Sequence, residues 1–231
     1  MEDLLSLRNR TALVAGAASA IGAATAEVLA QAGARVALVD RAADAVAALA
    51  ARIEAFGGSA LAIPGDPTDP SLPARVVAQV AERWGGLHVL LIAGLDHDGA
   101  TGAGAALAWV RAAQAPMRTA GFGRVLCLCS IAARHGLPGA AEEAANGGAL
   151  MALSRTWARE LGPHGITSNA VVPGLIADDP ACPVPRAVLP RIPAGRAGTA
   201  REVANVFLYL ASDLASFVNG SLLGVDGGLL L

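Results

Sequence analysis

Three residues within fourteen positions, Ser130, His135 and Glu143, have side chains able to act as nucleophile, base and acid. A serine activated by a histidine that a carboxylate orients would serve acyl transfer. A histidine on a flanking loop is more simply solvated, so this trio defines no site by itself. A second group lies in "VAGAASAIGAATAEVL", where Gly16, Ser19 and Gly22 stand between an apolar run and a helical pattern. Such a turn presents backbone amides and the positive end of a helix to a pyrophosphate, although it can also just pack a strand on a helix. Asp40 closes "RVALVD" at a distance suited to an adenine ribose. Strands also end in Asp for turn chemistry alone.

Asp96, His97 and Asp98 carry metal-ligating atoms, but neighbours on a glycine-rich loop are ordinarily solvated, and no metal site is expected. Cys127 and Cys129 alternate along a strand pattern and share a face. With Cys182 they make three, too few for a ligand set, and the pair reads as small core residues.

The elements that would hold these residues follow from apolar periodicity. "TALVAG", "RVALVD", "SALAIP", "LHVLLIAG", "GRVLCLCS", "ITSNAVV" and "SLLGVD" read as strands buried on both faces. Between them, 21–32, 42–55, 72–84, 105–120, 144–161 and 200–211 carry apolar residues at helical spacing. Regular alternation over residues 1–231 predicts one α/β domain, a doubly wound parallel sheet with helices on both faces. Ligands of such sheets lie beyond the carboxyl ends of the strands. The glycine-rich "AGLDHDGATGAGA" and the proline-rich stretch from Pro173 to Pro193 should emerge there as irregular loops.

Composition narrows the chemistry. A net charge of −2 with scattered charges gives no basic stripe for nucleic acid. The acidic start "MEDLLSLRNR" lacks the pattern of a signal peptide, and no apolar stretch suits a bilayer, so a cytoplasmic chain without membrane contact is expected. All 17 basic residues are arginine, and Tyr209 is the single tyrosine. No mechanism needing a tyrosine and a lysine together is open to this chain.

That exclusion matters because the sequence closely resembles the short-chain dehydrogenase/reductase family over essentially its full length. "GRVLCLCS" resembles the family's fifth strand ending in its catalytic serine. "GALMALSRTWARELGPHGITSNAVVPGLI" resembles its long helix, sixth strand and Pro-Gly turn, and "GRAGTAREVANVFLYLASDLASFVNGSLLGVDGGLLL" its C-terminal segment. The resemblance implies a Rossmann-like sheet of seven strands, NAD(P) binding, and dimers or tetramers.

The same resemblance places the family's tyrosine at Glu143, thirteen residues beyond Ser130, and its lysine at Gly147. In the family the lysine lies one helical turn from the tyrosine and lowers its pKa toward the working range. A carboxylate in water is ionised at neutral pH and is no proton donor unless burial raises its pKa. The lysine's grip on the nicotinamide ribose is lost too. Ala20 replaces the middle glycine of the loop, and "LIAG", 91–94, replaces the family's Asn-Asn-Ala-Gly. The segment from there to Ser130 is short and lacks the family's relay asparagine. Ser130 is then vestigial, no residue is assigned as catalytic, and Gly16, Ser19, Gly22, Asp40 and Asp66 are the remnants of a dinucleotide site.

The expected function is that of a non-catalytic subunit assembled, as a hetero-oligomer and by family precedent a tetramer, with an active paralogue. This chain would bind no cofactor, or NAD if any. The family holds such pairs, among them the hydroxybenzylsuccinyl-CoA dehydrogenase of anaerobic toluene breakdown, whose inactive partner this sequence resembles. Ala144, Ala145, Gly147, Gly148 and Ala152, beside Leu150, Met151 and Trp157, would permit close approach of a partner helix. A dinucleotide-sensing regulator and an oxidoreductase rebuilt around Ser130, His135 and Glu143 are the alternatives.

Overall fold

The computed structural model describes residues 4–93, 102–177 and 186–230. Seven strands, β1 (Thr11–Ala15), β2 (Arg35–Asp40), β3 (Ser59–Pro64), β4 (Val89–Ile92), β5 (Gly123–Leu128), β6 (Ile166–Pro173) and β7 (Leu222–Val225), form one parallel sheet in the order β3-β2-β1-β4-β5-β6-β7. The order reverses between β1 and β4, so the crevice beyond their carboxyl ends is the place for a ligand. The helices are α1 (Ala20–Gln31), α2 (Ala43–Ala55), α3 (Leu72–Trp84), α4 (Gly102–Ala120), α5 (Ala132–His135), α6 (Ala141–Leu161) and α7 (Ala200–Ala211).

Alternate strand residues feed two apolar layers, because successive side chains point to opposite faces. Leu13, Leu90, Val125 and Cys127 pack with Val76 of α3, Trp109 of α4 and Trp157 of α6. Val14, Leu38, Leu91 and Leu126 pack with Leu29 of α1, Leu49 of α2 and Phe207 of α7 on the other side. Cys127 and Cys129 are buried in the first layer, where desolvation pushes the Cys127 thiol well above its ordinary range. Trp109, fully buried, also donates its Nε1 proton to the Pro67 carbonyl at 2.8 Å, tying α4 to the turn that carries Asp66.

Two helix starts differ from the sequence expectation by more than one residue. Helix α4 begins at Gly102 instead of 105, and α6 at Ala141 instead of 144. In α6 the residues Glu142 and Glu143 occupy the first turn, where carboxylates complement the helix dipole, so these acids belong to the helix and not to the loop before it. The four-residue α5 had no periodic signal; it ends at Gly136, whose φ of 67° is open to glycine.

Helix α7 starts with a capping box. Thr199 Oγ1 accepts from the Glu202 amide at 3.2 Å, and Glu202 Oε2 accepts from the Thr199 amide at 2.9 Å. Arg196 grips the same carboxylate at 2.6 and 2.9 Å. The Arg196 hydrogen bonds, followed by the Thr199 amide, draw the Glu202 pKa from 4.5 to about 2. A carboxyl whose pKa is lower in the folded state stabilises the fold above its unfolded value and loses that contribution as pH falls through the folded one. Urea unfolding between pH 4.5 and 2 should therefore show an acid-dependent loss of stability that is smaller in Glu202→Gln.

Candidate active site

Ser130 follows β5 by two residues and is 8% exposed. Its Oγ accepts from the Ala132 amide at 2.9 Å and donates to Glu143 Oε1. The hydroxyl is thus fixed at both ends, and the two residues that would flank a substrate oxygen are bonded to each other. His135, the last residue of α5, is exposed and makes no hydrogen bond to either. The structure does not assemble the Ser130, His135 and Glu143 trio.

One turn beyond Glu143, Gly147 is buried against α5. A Cβ there would stand 2.9 Å from Ala133 Cβ and 3.2 Å from the Ser130 amide nitrogen. No side chain fits unless α5 shifts, so the family's lysine is not merely missing from this position. Its place is taken by the packing of α6 on the corner between β5 and α5. Ala133 is the residue that sequence reasoning missed, because its role depends on a contact between two elements.

The glycine turn is built tightly. Gly16 has a φ of 88°, and a Cβ on Gly22 would collide with the Gly16 carbonyl oxygen. Ser19 caps α1, accepting from the Gly22 amide at 3.1 Å and donating to Gly16 O at 2.9 Å. The amides of Ala20 and Ile21 have no acceptor among the described residues. Two free amides at the positive end of a twelve-residue helix fit a pyrophosphate. Ala20 is half-buried, packed against the apolar layer beneath the turn.

Asp40 accepts from the Ala18 amide at 3.0 Å and from the Ala42 amide at 3.1 Å, one on each carboxylate oxygen. It braces the glycine turn and keeps a second lone pair on each oxygen for a ribose hydroxyl. Asp66 is exposed and accepts from the Thr68 hydroxyl at 2.7 Å and amide at 2.9 Å, bonds that hold its carboxyl below the usual carboxylate range. Gly174 persists for packing: a Cβ there would lie 2.7 Å from Asp226 Cα.

Gly94, Asp96, His97, Asp98 and Cys182 lie outside the described residues. Tyr209 is half-buried against the second apolar layer. Of the residues expected to meet a partner helix, Gly147, Leu150, Met151 and Trp157 are buried within the chain, Trp157 at 3% exposure. This corrects the expectation for Gly147, Leu150 and Trp157, which pack on α5 and the first apolar layer, whereas Met151, though buried, also lines the cavity on the outer side. Ala145 and Ala152 are exposed, and Ala144 and Gly148 half-buried. A cavity of about 590 Å³ opens on that outer side between Arg134, Gly148, Ala152, Arg155 and Gly220. Ser130 and Glu143 do not line it.

Fold and site together define a doubly wound, dinucleotide-type α/β protein. The profile of the enoyl-(acyl carrier protein) reductase group matches residues 16–230. The 3-oxoacyl-[acyl-carrier-protein] reductase FabG of Thermotoga maritima is 30% identical, covering 98% of this chain and all of that protein. A Sinorhizobium meliloti structure assigned as a short-chain alcohol dehydrogenase superposes with a TM-score of 0.91 at 31% identity, covering 98% of each chain. A Beutenbergia cavernae structure, assigned as an NAD(P)-dependent gluconate 5-dehydrogenase and solved with NADP at low occupancy, gives 0.87 at 34%, covering 98% of this chain and 99% of that one. The chain belongs to the short-chain dehydrogenase/reductase family of oxidoreductases.

Neighbouring glycines in α6 separate packing from propensity. Gly148 has open space around its would-be Cβ, so Gly148→Ala should stabilise the chain by about 0.5–1 kcal/mol. Gly147→Ala must overpack the α5 contact, at a cost of about 1–3 kcal/mol that outweighs the propensity gain. Chemical denaturation of the two variants should give shifts of opposite sign.

Proposed function

We propose that this chain is a non-catalytic subunit of the short-chain dehydrogenase/reductase fold that assembles with an active, NAD(P)-dependent paralogue and stabilises it in a hydroxyacyl-type dehydrogenase complex. The observation that carries the reading is the contact at Gly147. The family's proton relay needs a cation one turn from a phenol, and here α5 fills the space a side chain at 147 would need. The hydroxyl of Ser130, which would hold the substrate oxygen, is spent on Glu143. Ala144, Ala145, Gly148 and Ala152 leave the outer face of α6 low enough for a partner helix to approach.

A second reading, a dinucleotide-binding regulator, is favoured by the free amides of Ala20 and Ile21 above the intact Gly16–Gly22 turn. It keeps the adenine and pyrophosphate end and needs no relay. The third, an oxidoreductase using Ser130 and Glu143, requires Glu143 to supply the proton that the family takes from its tyrosine.

Turnover distinguishes them. The isolated chain should oxidise no NAD(P)H with hydroxyacyl or ketoacyl thioesters. In the complex with its paralogue, Glu143→Ala should leave turnover within about twofold of the parent. Loss of turnover on Glu143→Ala would instead favour chemistry at this site. Glu143→Tyr with Gly147→Lys should gain no activity and should lower the unfolding midpoint, since the lysine stem meets Ala133.

A further inference from the structure

The cavity of about 590 Å³ outside α6 is lined neither by Ser130 and Glu143 nor by the glycine turn. Gly148, Met151, Ala152 and Arg155 form its helical wall, spaced at three and four so that they share one side of α6. Gly220 and Leu222, at the entry to the edge strand β7, form the opposite wall. The walls meet at one end, where Asn219 Nδ2 donates to the Ala158 carbonyl at 2.9 Å and a Cβ on Gly220 would stand 3.3 Å from Ala158 Cβ. At the other end Arg134 of α5 reaches across, its Nη1 3.8 Å from where a Cβ on Gly224 would lie. Nothing stands within 4 Å of a Cβ built on Gly148, so the wall is open there.

Two cations flank this opening. Arg134 and Arg155 are exposed, and neither guanidinium makes a hydrogen bond or an ion pair among the described residues. Asp226 Oδ2 lies 3.5 Å from the same Gly224 position that Arg134 approaches, yet the two do not pair, and Asp226 Oδ1 accepts from the Gly228 amide at 2.9 Å. Between the cations, Met151 and Leu222 belong to or pack on the first apolar layer. Charge is also sorted along the outer side of α6. Glu142 is exposed in the first turn, Ala145, Gly148 and Ala152 are uncharged, and Arg155 and Arg159 are exposed toward the carboxyl end. The dipole of any helix favours carboxylates in its first turn. A helix lying antiparallel on α6 therefore brings the end where its acids are favoured to Arg155, while Gly148 lets the two axes approach to about 8 Å.

We propose that this cavity is the socket for a carboxylate of the paralogue, an aspartate or glutamate in the first turn of a helix that lies antiparallel on α6 and crosses it at Gly148. Arg155 and Arg134 hold the carboxylate through charge-assisted hydrogen bonds, and the methylenes of its side chain rest on Met151 and Leu222. The inference rests on the subunit reading above and gives that partner its chemistry. A carboxylate shielded between two helices and shared by two cations contributes more than an exposed surface pair, and it fixes the register of the helices. The open form of the cavity suits an inserted side chain better than a small ligand, whose sites bury most of its surface.

Sedimentation of the heteromer formed with the paralogue, using charge-reversed variants of this chain, tests it. Arg155→Glu and Arg134→Glu should each weaken the heteromer at least about tenfold. Arg83→Glu, the same charge change on the exposed side of α3, should stay within about twofold of the parent. Raising salt from about 50 to about 500 mM should weaken the parent heteromer more than the Arg155→Glu one. All three arginines are exposed, so the unfolding midpoints of the variants should match the parent and a loss of association reports the socket. Equal heteromer affinity in the three variants would overturn this inference and leave the subunit reading standing, whereas no heteromer with the unaltered chain would end both. A homodimer weakened by Arg155→Glu and restored by adding Glu142→Arg would put a second copy in the socket and contradict its assignment to the paralogue.

Discussion

The close approach of α6 to the corner between β5 and α5 governs what this molecule can do. Gly147 allows it, because a hydrogen is all that fits between the helix backbone and Ala133. With the helix so seated, Glu143 one turn earlier falls within hydrogen-bonding reach of Ser130. The serine's other contact, from the Ala132 amide, fixes α5 to the end of β5. A single steric constraint thus leaves no room for a side chain at 147, engages the hydroxyl and orders the short helix. A lysine at 147 would take a shift of α5 as well as a new side chain.

The opposite end of the dinucleotide crevice follows a different logic. Ser19 ties Gly16 to Gly22, Asp40 holds the Ala18 amide between them, and the turn is too tight for a Cβ on Gly22. These residues stabilise the first strand-helix unit whether or not a nucleotide binds, and Gly174 does the same beside Asp226. The glycine-turn motif thus has a folding role of its own, while the departures from the family pattern gather at Glu143 and Gly147.

The strands and most helix bounds were legible in the sequence because fully buried parallel strands read as apolar runs and their crossovers as helical periods. Strands β2 and β3 and helices α3 and α7 fall on the expected residues. Apolar periodicity placed the start of α6 three residues late, because Glu142 and Glu143 of its first turn carry no apolar signal. Nor was the closure at Gly147: sequence shows which residue is missing, whereas only tertiary packing shows that its space is taken. Trp157 misled for the same reason, being an aromatic on a helix whose inward face periodicity could not fix. Arg134 and Arg155 come to one cavity only because α5 packs back on α6 beside β7.

Native mass spectrometry of the chain co-expressed with its genomic neighbours, with NAD added, tests the central claim most directly. The account predicts a heteromer in which the partner carries nucleotide and this chain carries none. A homo-oligomer of this chain loaded with its own NAD would contradict it.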